Sequence, residues 1–189
     1  MDAIHAVNAS EGICILKSCR PIVCLIALLW IFFWRGCNAE TSNRTGLPPT
    51  LGNLALSKVL EKEQAAKMIN RMHGKDLGVS ENFIAFYGGS SSRNILYVSI
   101  YDSAEKARAG LMEMAMKLSK GTRVFSPLTH SGMGDHVLFE TAGMGLKHYF
   151  YRVDRLLIWW QVEPDKARTT IKEVRKFDFG PLLRNSRGQ

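Results

Sequence analysis

Residues 156–162, LLIWWQV, constrain the fold more than any other stretch of this chain. The run is short and rich in aromatic and branched residues, which reads as a strand. Side chains alternate along a strand, so Leu156, Ile158, Trp160 and Val162 take one face and Leu157, Trp159 and Gln161 the other. A sheet wetted on one side shows cleaner alternation of apolar and polar positions. Two arrangements satisfy this segment. Either helices and loops cover both faces of its sheet, or one face carries a functional aromatic surface. Both lead to a layered α+β domain.

The remaining pattern supplies the other elements. Leu54, Leu56 and Lys58-Val59 suggest a first strand. Residues 61–73 read as a helix, with Ala65, Ile69 and Met72 recurring every three or four positions and Gly74 placed to end it. Residues 83–87 and 95–101 form a predicted hairpin across the turn chemistry of Gly88-Gly89-Ser90-Ser91-Ser92. Asp102 and Glu105 fit a capping box for a second helix striped by Ala107, Leu111, Met114 and Leu118 and ended by Gly121. Strands follow at 137–141, 147–153 and 156–162, the last two joined by a tight Asp154-Arg155 turn. Pro164 opens a third helix whose buried face is Ala167, Ile171 and Val174. The expected architecture is therefore one α+β domain at 53–178, with about six mostly antiparallel strands and three helices, followed by a loose basic tail at 179–189. Residues 95–111 and 156–171 echo each other, each a strand, a turn and a helix opening on Lys-Ala-Arg, which is compatible with a duplicated hairpin–helix unit.

Ahead of this domain lies an apolar run, residues 21–34, preceded by Lys17 and Arg20. Its 14 residues span roughly 21 Å as a helix, short of a hydrocarbon core of ~30 Å. The layout is that of a secretory signal peptide or an N-terminal membrane anchor occupying 1–39. Both place the following domain outside the cytoplasm, in the periplasm or on the outer side of the membrane. Cleavage after Ala39 and lipidation of Cys37 compete, although Trp34 and Arg35 fit a lipidation signal poorly. Residues 40–52 are polar, with a Pro-Pro pair, and read as a flexible linker carrying a glycosylation sequon at Asn43-Arg44-Thr45. All four cysteines (Cys14, Cys19, Cys24 and Cys37) fall in the leader, so the domain uses no disulfide, thiolate metal site or cysteine nucleophile. Without 1–39 the chain loses three basic and two acidic side chains, taking its net charge from +8 to +7.

The densest chemistry is aromatic. Tyr149, Phe150, Tyr151, Trp159 and Trp160 fall on adjacent strands, rimmed by Lys147, Arg152 and Arg155. Read as function, Tyr149, Tyr151, Arg152 and Trp159 are the candidate contacts for a ligand or partner. Read as structure, the rings are core packing. A rival enzymatic reading gathers His130, Asp135, His136 and His148, a spacing that matches no zinc signature. Neither a metal nor a cofactor is expected. The glycine-rich segments lead into strands rather than helices, against a phosphate loop, and no nucleophile elbow is present. Dispersed charge and export argue against nucleic acid as a partner. Arg168, Lys172, Arg175 and Lys176, continued by Arg184 and Arg187, instead suit an anionic surface or a solvated face.

Leu47-Pro48 with Leu51-Gly52, Ala65-Ala66, Ile69-Asn70, Met72-His73-Gly74-Lys75 and Ile84-Ala85-x-Tyr87 resemble a family of small exported prokaryotic domains. Gly143-Met144-Gly145-x-Lys147-His148-Tyr149-x-Tyr151 and Ile158-Trp159-Trp160 are similar to its second half, so the resemblance spans about 47–174. It implies export or lipoprotein anchoring and carries over no activity and no site. The resulting expectation is a non-enzymatic binding domain of the cell envelope, tethered through its N-terminal segment or a lipid, whose partner is an envelope protein or an anionic ligand. An envelope enzyme and a structural subunit of an envelope complex are the alternatives.

Overall fold

The computed structural model describes residues 46–185. The leader with Cys37, the sequon, the first six residues of the expected linker and the last residues of the tail lie outside them. Along the chain run β1 (Thr50–Leu51), β2 (Leu54–Glu61), α1 (Lys62–His73), β3 (Glu81–Tyr87), β4 (Asn94–Ile100) and α2 (Ala104–Leu118). Then come β5 (Thr129–Met133), β6 (His136–Gly143), β7 (Leu146–Val153), β8 (Leu156–Val162), α3 (Ala167–Lys176) and α4 (Gly180–Asn185). The strands form one antiparallel sheet in the order β1-β2-β3-β4-β8-β7-β6-β5. The class is α+β as the pattern predicts. The sheet has eight strands rather than six, and the described residues hold four helices rather than three.

The two extra strands are β1 and β5, at the sheet edges. β1 turns into β2 through Gly52 and Asn53, whose φ angles of 63° and 64° are the left-handed pair that a two-residue hairpin needs. Glu173 of α3 holds this turn, accepting from Gly52 N at 2.6 Å and Asn53 N at 3.1 Å. Leu47 and Leu51 are buried, and Tyr87 Oη donates to Pro48 O at 3.0 Å. The C-terminal half of the expected linker is therefore part of the core. The expected loose tail is corrected in the same way. Phe179 and Leu182 are 3% and 1% exposed, so the start of the tail folds as α4 and closes the core.

Both faces of the sheet are covered, but unequally. The first face carries Ala85, Leu96, Trp160, Tyr149 and their neighbours, sealed by α3, α4 and the segment around Leu47. The second face carries two separate clusters. Ala65 and Ile69 of α1 pack on Ile84, and Ala107, Leu111, Ala115 and Leu118 of α2 pack on Phe150 and Leu157. α2 is capped by Ser103, whose hydroxyl accepts from Lys106 N at 3.2 Å, one residue later than the expected cap at Asp102. Asp102 pairs with Lys106 and Ser80 instead. The echo between 95–111 and 156–171 is local. Each segment is a strand and a helix, but α2 packs on the second face and α3 on the first.

Candidate functional site

Between α1 and α2 the second face opens into a cleft of about 300 Å³, at the lower end of the range for small-molecule sites. Its floor comes from the two central strands. Tyr97 and Ser99 of β4, with Tyr101 beyond it, and Leu157, Trp159 and Gln161 of β8 alternate onto this face. Tyr97 lies directly opposite Trp159, and both rings are half-buried. In-register pairing extends the row outward from Ile84 through Tyr97, Trp159 and Phe150 to Phe139. Trp159 stacks on Phe150 at 4.9 Å, and Phe150 on Phe139 at 5.2 Å. The rings of the floor are thus fixed from one side and open toward the cleft.

The walls are helical stripes. Ile69, Met72 and His73 of α1 face Gly110, Glu113, Met114 and Lys117 of α2, at the spacings of three and four that align side chains on a helix. Phe125 and Met144 also line the cleft. Phe125 sits edge-on to His148 at 5.0 Å and to Trp159 at 6.2 Å. It reaches that position because Gly143 has no side chain: a Cβ there would stand 2.5 Å from the Phe125 ring and 2.6 Å from Val124 O. Of the seven large apolar side chains exposed among the described residues, five are methionines, and Met72 and Met144 belong to this cleft. Thioether side chains are flexible and polarizable, which suits a surface that adapts to apolar ligands.

Charge gathers on the cleft walls. Glu113 Oε1 accepts from Lys75 Nζ and from Lys117 Nζ, both at 2.7 Å. Lys75 follows α1 and Glu113 belongs to α2, so the pair links the two walls. The two ammonium groups hold the Glu113 carboxyl at about 2. Contact with the cleft walls desolvates the ring of His73, much of which stays open to water, and lowers its pKa; the charges of Lys117 and Lys75 lower it further. His148 is 1% exposed, its Nε2 is 3.2 Å from Gly143 O, and its Nδ1 has no hydrogen-bond partner. Burial keeps that imidazole neutral by lowering its pKa. Ser99 Oγ donates to Asn82 Oδ1 at 2.7 Å rather than to a base.

The residues singled out from sequence are divided by the sheet. Trp159 lies in the cleft. Tyr149 and Tyr151 are 3% and 2% exposed and point to the opposite face, where Tyr149 stacks on Trp160 at 5.4 Å. A continuous aromatic surface of Tyr149, Tyr151 and Trp159 is therefore corrected. The five rings fall in two runs, 149–151 and 159–160, and within each run neighbours alternate between two faces. Arg152 donates to Asp154 O at 2.6 Å in its own turn, and Lys147 pairs with Glu140 at 2.7 Å. The rival set does not assemble. The His136 ring lies against Tyr151 on the first face, whereas His148 lies against Phe125 and Trp159 on the second. No group of three or more His, Cys, Asp or Glu residues among those described is placed to hold a metal ion. No described helix is long and apolar enough to cross a membrane. Tyr97, Met72, Lys75, Glu113, Lys117, Phe125 and Met144 are the cleft residues that pattern reading passed over. The helical spacing of Gly110, Glu113, Met114 and Lys117 was the signal available.

No family model and no curated protein matches the chain. Among solved structures it is similar to the extracellular domain of PknH from Mycobacterium tuberculosis, at 10% identity over 72% of this chain and 81% of that one, with a TM-score of 0.35.

Proposed function

We propose that this chain is an exported, non-enzymatic binding domain that takes a small apolar or amphipathic ligand in the cleft between α1 and α2. The observation that carries the reading is the floor. Tyr97 and Trp159 stand half-open on the two central strands of the sheet, whose opposite face is fully packed. An aromatic surface left uncovered there costs stability unless something else covers it. Its lining favours binding over catalysis, since the one buried imidazole among the described residues contacts a backbone carbonyl and the serine hydroxyl of the floor serves an amide. The segment 21–34 would deliver the domain to the outer side of a membrane, where such ligands are met.

The test is binding of an apolar fluorescent dye to the full chain, with and without Met114→Trp, which fills the cleft from α2. The dye should bind the parent chain and raise its thermal midpoint, because a ligand bound only to the folded state at a hundred times its Kd adds about 2.7 kcal/mol. A variant that folds and still binds the dye equally well refutes the site.

A further inference from the structure

We propose that the cleft takes a single-chain amphiphile with an anionic head group, its chain lying along Tyr97 and Trp159 and its head held by Lys75 and Lys117. This rests on the reading of the cleft as an apolar-ligand site and names the ligand class.

The first argument is shape. The floor residues of β8 run from Leu157 to Gln161, four steps of a strand, and those of β4 run antiparallel beside them from Tyr97 to Tyr101. Because Tyr97 pairs with Trp159 and Ser99 with Leu157, the two runs are offset, and at about 3.4 Å per residue the floor they form together is ~20 Å long. Its walls are two helices, so the cleft follows the strands as a groove rather than a round pocket. An extended hydrocarbon chain fits that form, and the methionines Met72, Met114 and Met144 supply the conformable contacts it needs.

The second argument is charge. Two ammonium groups from separate elements meet at one carboxylate oxygen, leaving an excess positive charge where α1 and α2 face each other. Glu113 shows that the position accepts a carboxylate between both lysines at hydrogen-bond distance. His73 adds a donor to the same wall without adding charge at neutral pH, since its pKa is lowered. An incoming carboxylate or phosphate shares or replaces Glu113 in this arrangement. A cationic head meets two like charges, and a neutral head gains only a hydrogen bond. Lys75 and Lys117 are side chains with 47% and 62% of their surface exposed, so they are free to turn toward a ligand.

The experiment is calorimetric titration of the full chain with dodecanoate, dodecanol and dodecyltrimethylammonium, each below its micelle threshold, at low and at physiological salt. Dodecanoate should bind about tenfold tighter than dodecanol at low salt, as two exposed ion pairs allow. The margin should shrink as salt shortens the screening length to about 8 Å. Dodecyltrimethylammonium should bind weakest. The double variant Lys75→Ala with Lys117→Ala should lose the preference for the acid, binding dodecanoate no tighter than dodecanol. Equal binding of all three probes, or an acid preference that survives the double variant, overturns the assignment of the head group while the apolar cleft stands. Failure of all three to bind overturns the cleft reading with it. A bromine-labelled chain that quenches the parent but not Trp159→Phe places the chain on the floor, whereas equal quenching of both removes it.

Discussion

Gly110 sits in the middle of α2, where glycine is normally unfavourable, and replacing it tests the packing that builds the cleft wall. In an exposed helix, Gly→Ala gains about 1 kcal/mol. Here a Cβ would stand 2.5 Å from Tyr101 Oη and 3.0 Å from Tyr101 Cζ. The main chain of Tyr101 is held, since its N donates to Arg155 O at 2.9 Å and its O accepts from Arg155 Nη1 at 3.3 Å, so relief requires the ring, which is 6% exposed, to swing toward the cleft. Overpacking of this kind costs about 1–3 kcal/mol, which meets or exceeds the helical gain. Gly110→Ala alone should therefore be neutral to destabilising by about 2 kcal/mol. In a Tyr101→Phe background the nearer atom is gone, and the same change should be tolerated better by about 1–2 kcal/mol, the scale of coupling between touching residues. Urea unfolding of the four chains measures the cycle through the shift in midpoint at constant slope. A gain near 1 kcal/mol in both backgrounds, additive within about 0.5 kcal/mol, would refute the close approach of Tyr101 to α2.

Three further outcomes follow from the packing. Leu182→Ala should cost about 2–5 kcal/mol in denaturant unfolding, the range for a buried leucine, whereas a loose tail would show no change. Glu173→Ala should cost about 2 kcal/mol by leaving Gly52 N and Asn53 N without their charged acceptor, and amide exchange at those two positions should speed up. His148 should make stability fall in acid. Its folded pKa lies below the ordinary 6.5, so below that pH the unfolded chain takes up a proton that the folded chain refuses. Stability from this group is complete above 6.5, is lost as pH drops toward the folded pKa, and changes no further beyond it. His148→Phe should flatten that slope, which is at most about 1.4 kcal/mol per pH unit for one group, leaving the contribution of His73. A slope unchanged in the variant would contradict the burial of this ring.

Alternation was enough to show that residues 156–162 carry large apolar side chains on both faces of a sheet, leaving open whether both faces are covered, and the helical stripes of α1, α2 and α3 were readable from spacing. What escaped was decided elsewhere. β5 reads THSGM, four of its five residues are exposed, and it is a strand because β6 offers it an edge, through a turn at Gly134 with φ 61°. β1 is two residues long and exists because Glu173, more than a hundred positions away, holds its turn. Leu47 stands alone in a polar segment, and Leu182 lies in a short tail with no periodicity, until the first face is assembled around them. The aromatic cluster misled for a simpler reason. Its density drew attention to one surface, although period two splits Tyr149, Tyr151 and Trp160 from Phe150 and Trp159. The Lys75–Glu113–Lys117 arrangement had no sequence signal beyond a charged helix flank, because it depends on how far apart α1 and α2 stand.

That separation is fixed by topology and carries its own prediction. α1 packs over β2 and β3, and α2 over β8 and β7. In the order β2-β3-β4-β8-β7 the midpoints of those pairs are three strand spacings apart. At about 4.8 Å per spacing the helix axes stand ~14 Å apart, whereas helices in contact lie about 8–10 Å apart. The difference, about 5 Å, is one hydrocarbon chain wide. Closing it would require a strand to leave the sheet or a helix to slide off its cluster, so the gap cannot collapse onto the floor by side-chain movement alone. The width then selects between ligands of equal head charge. A single-chain acid should bind, and a two-chain phospholipid with the same anionic head should bind no tighter, since its second chain stays in water whether bound or free, whereas a cleft wide enough for both chains would add about 0.8 kcal/mol for each further methylene buried. Titrating both as monomers below their aggregation thresholds measures the ratio. A two-chain ligand that binds about tenfold tighter or more would mean that α1 and α2 move apart on binding and that the strand count does not set the width of the cleft.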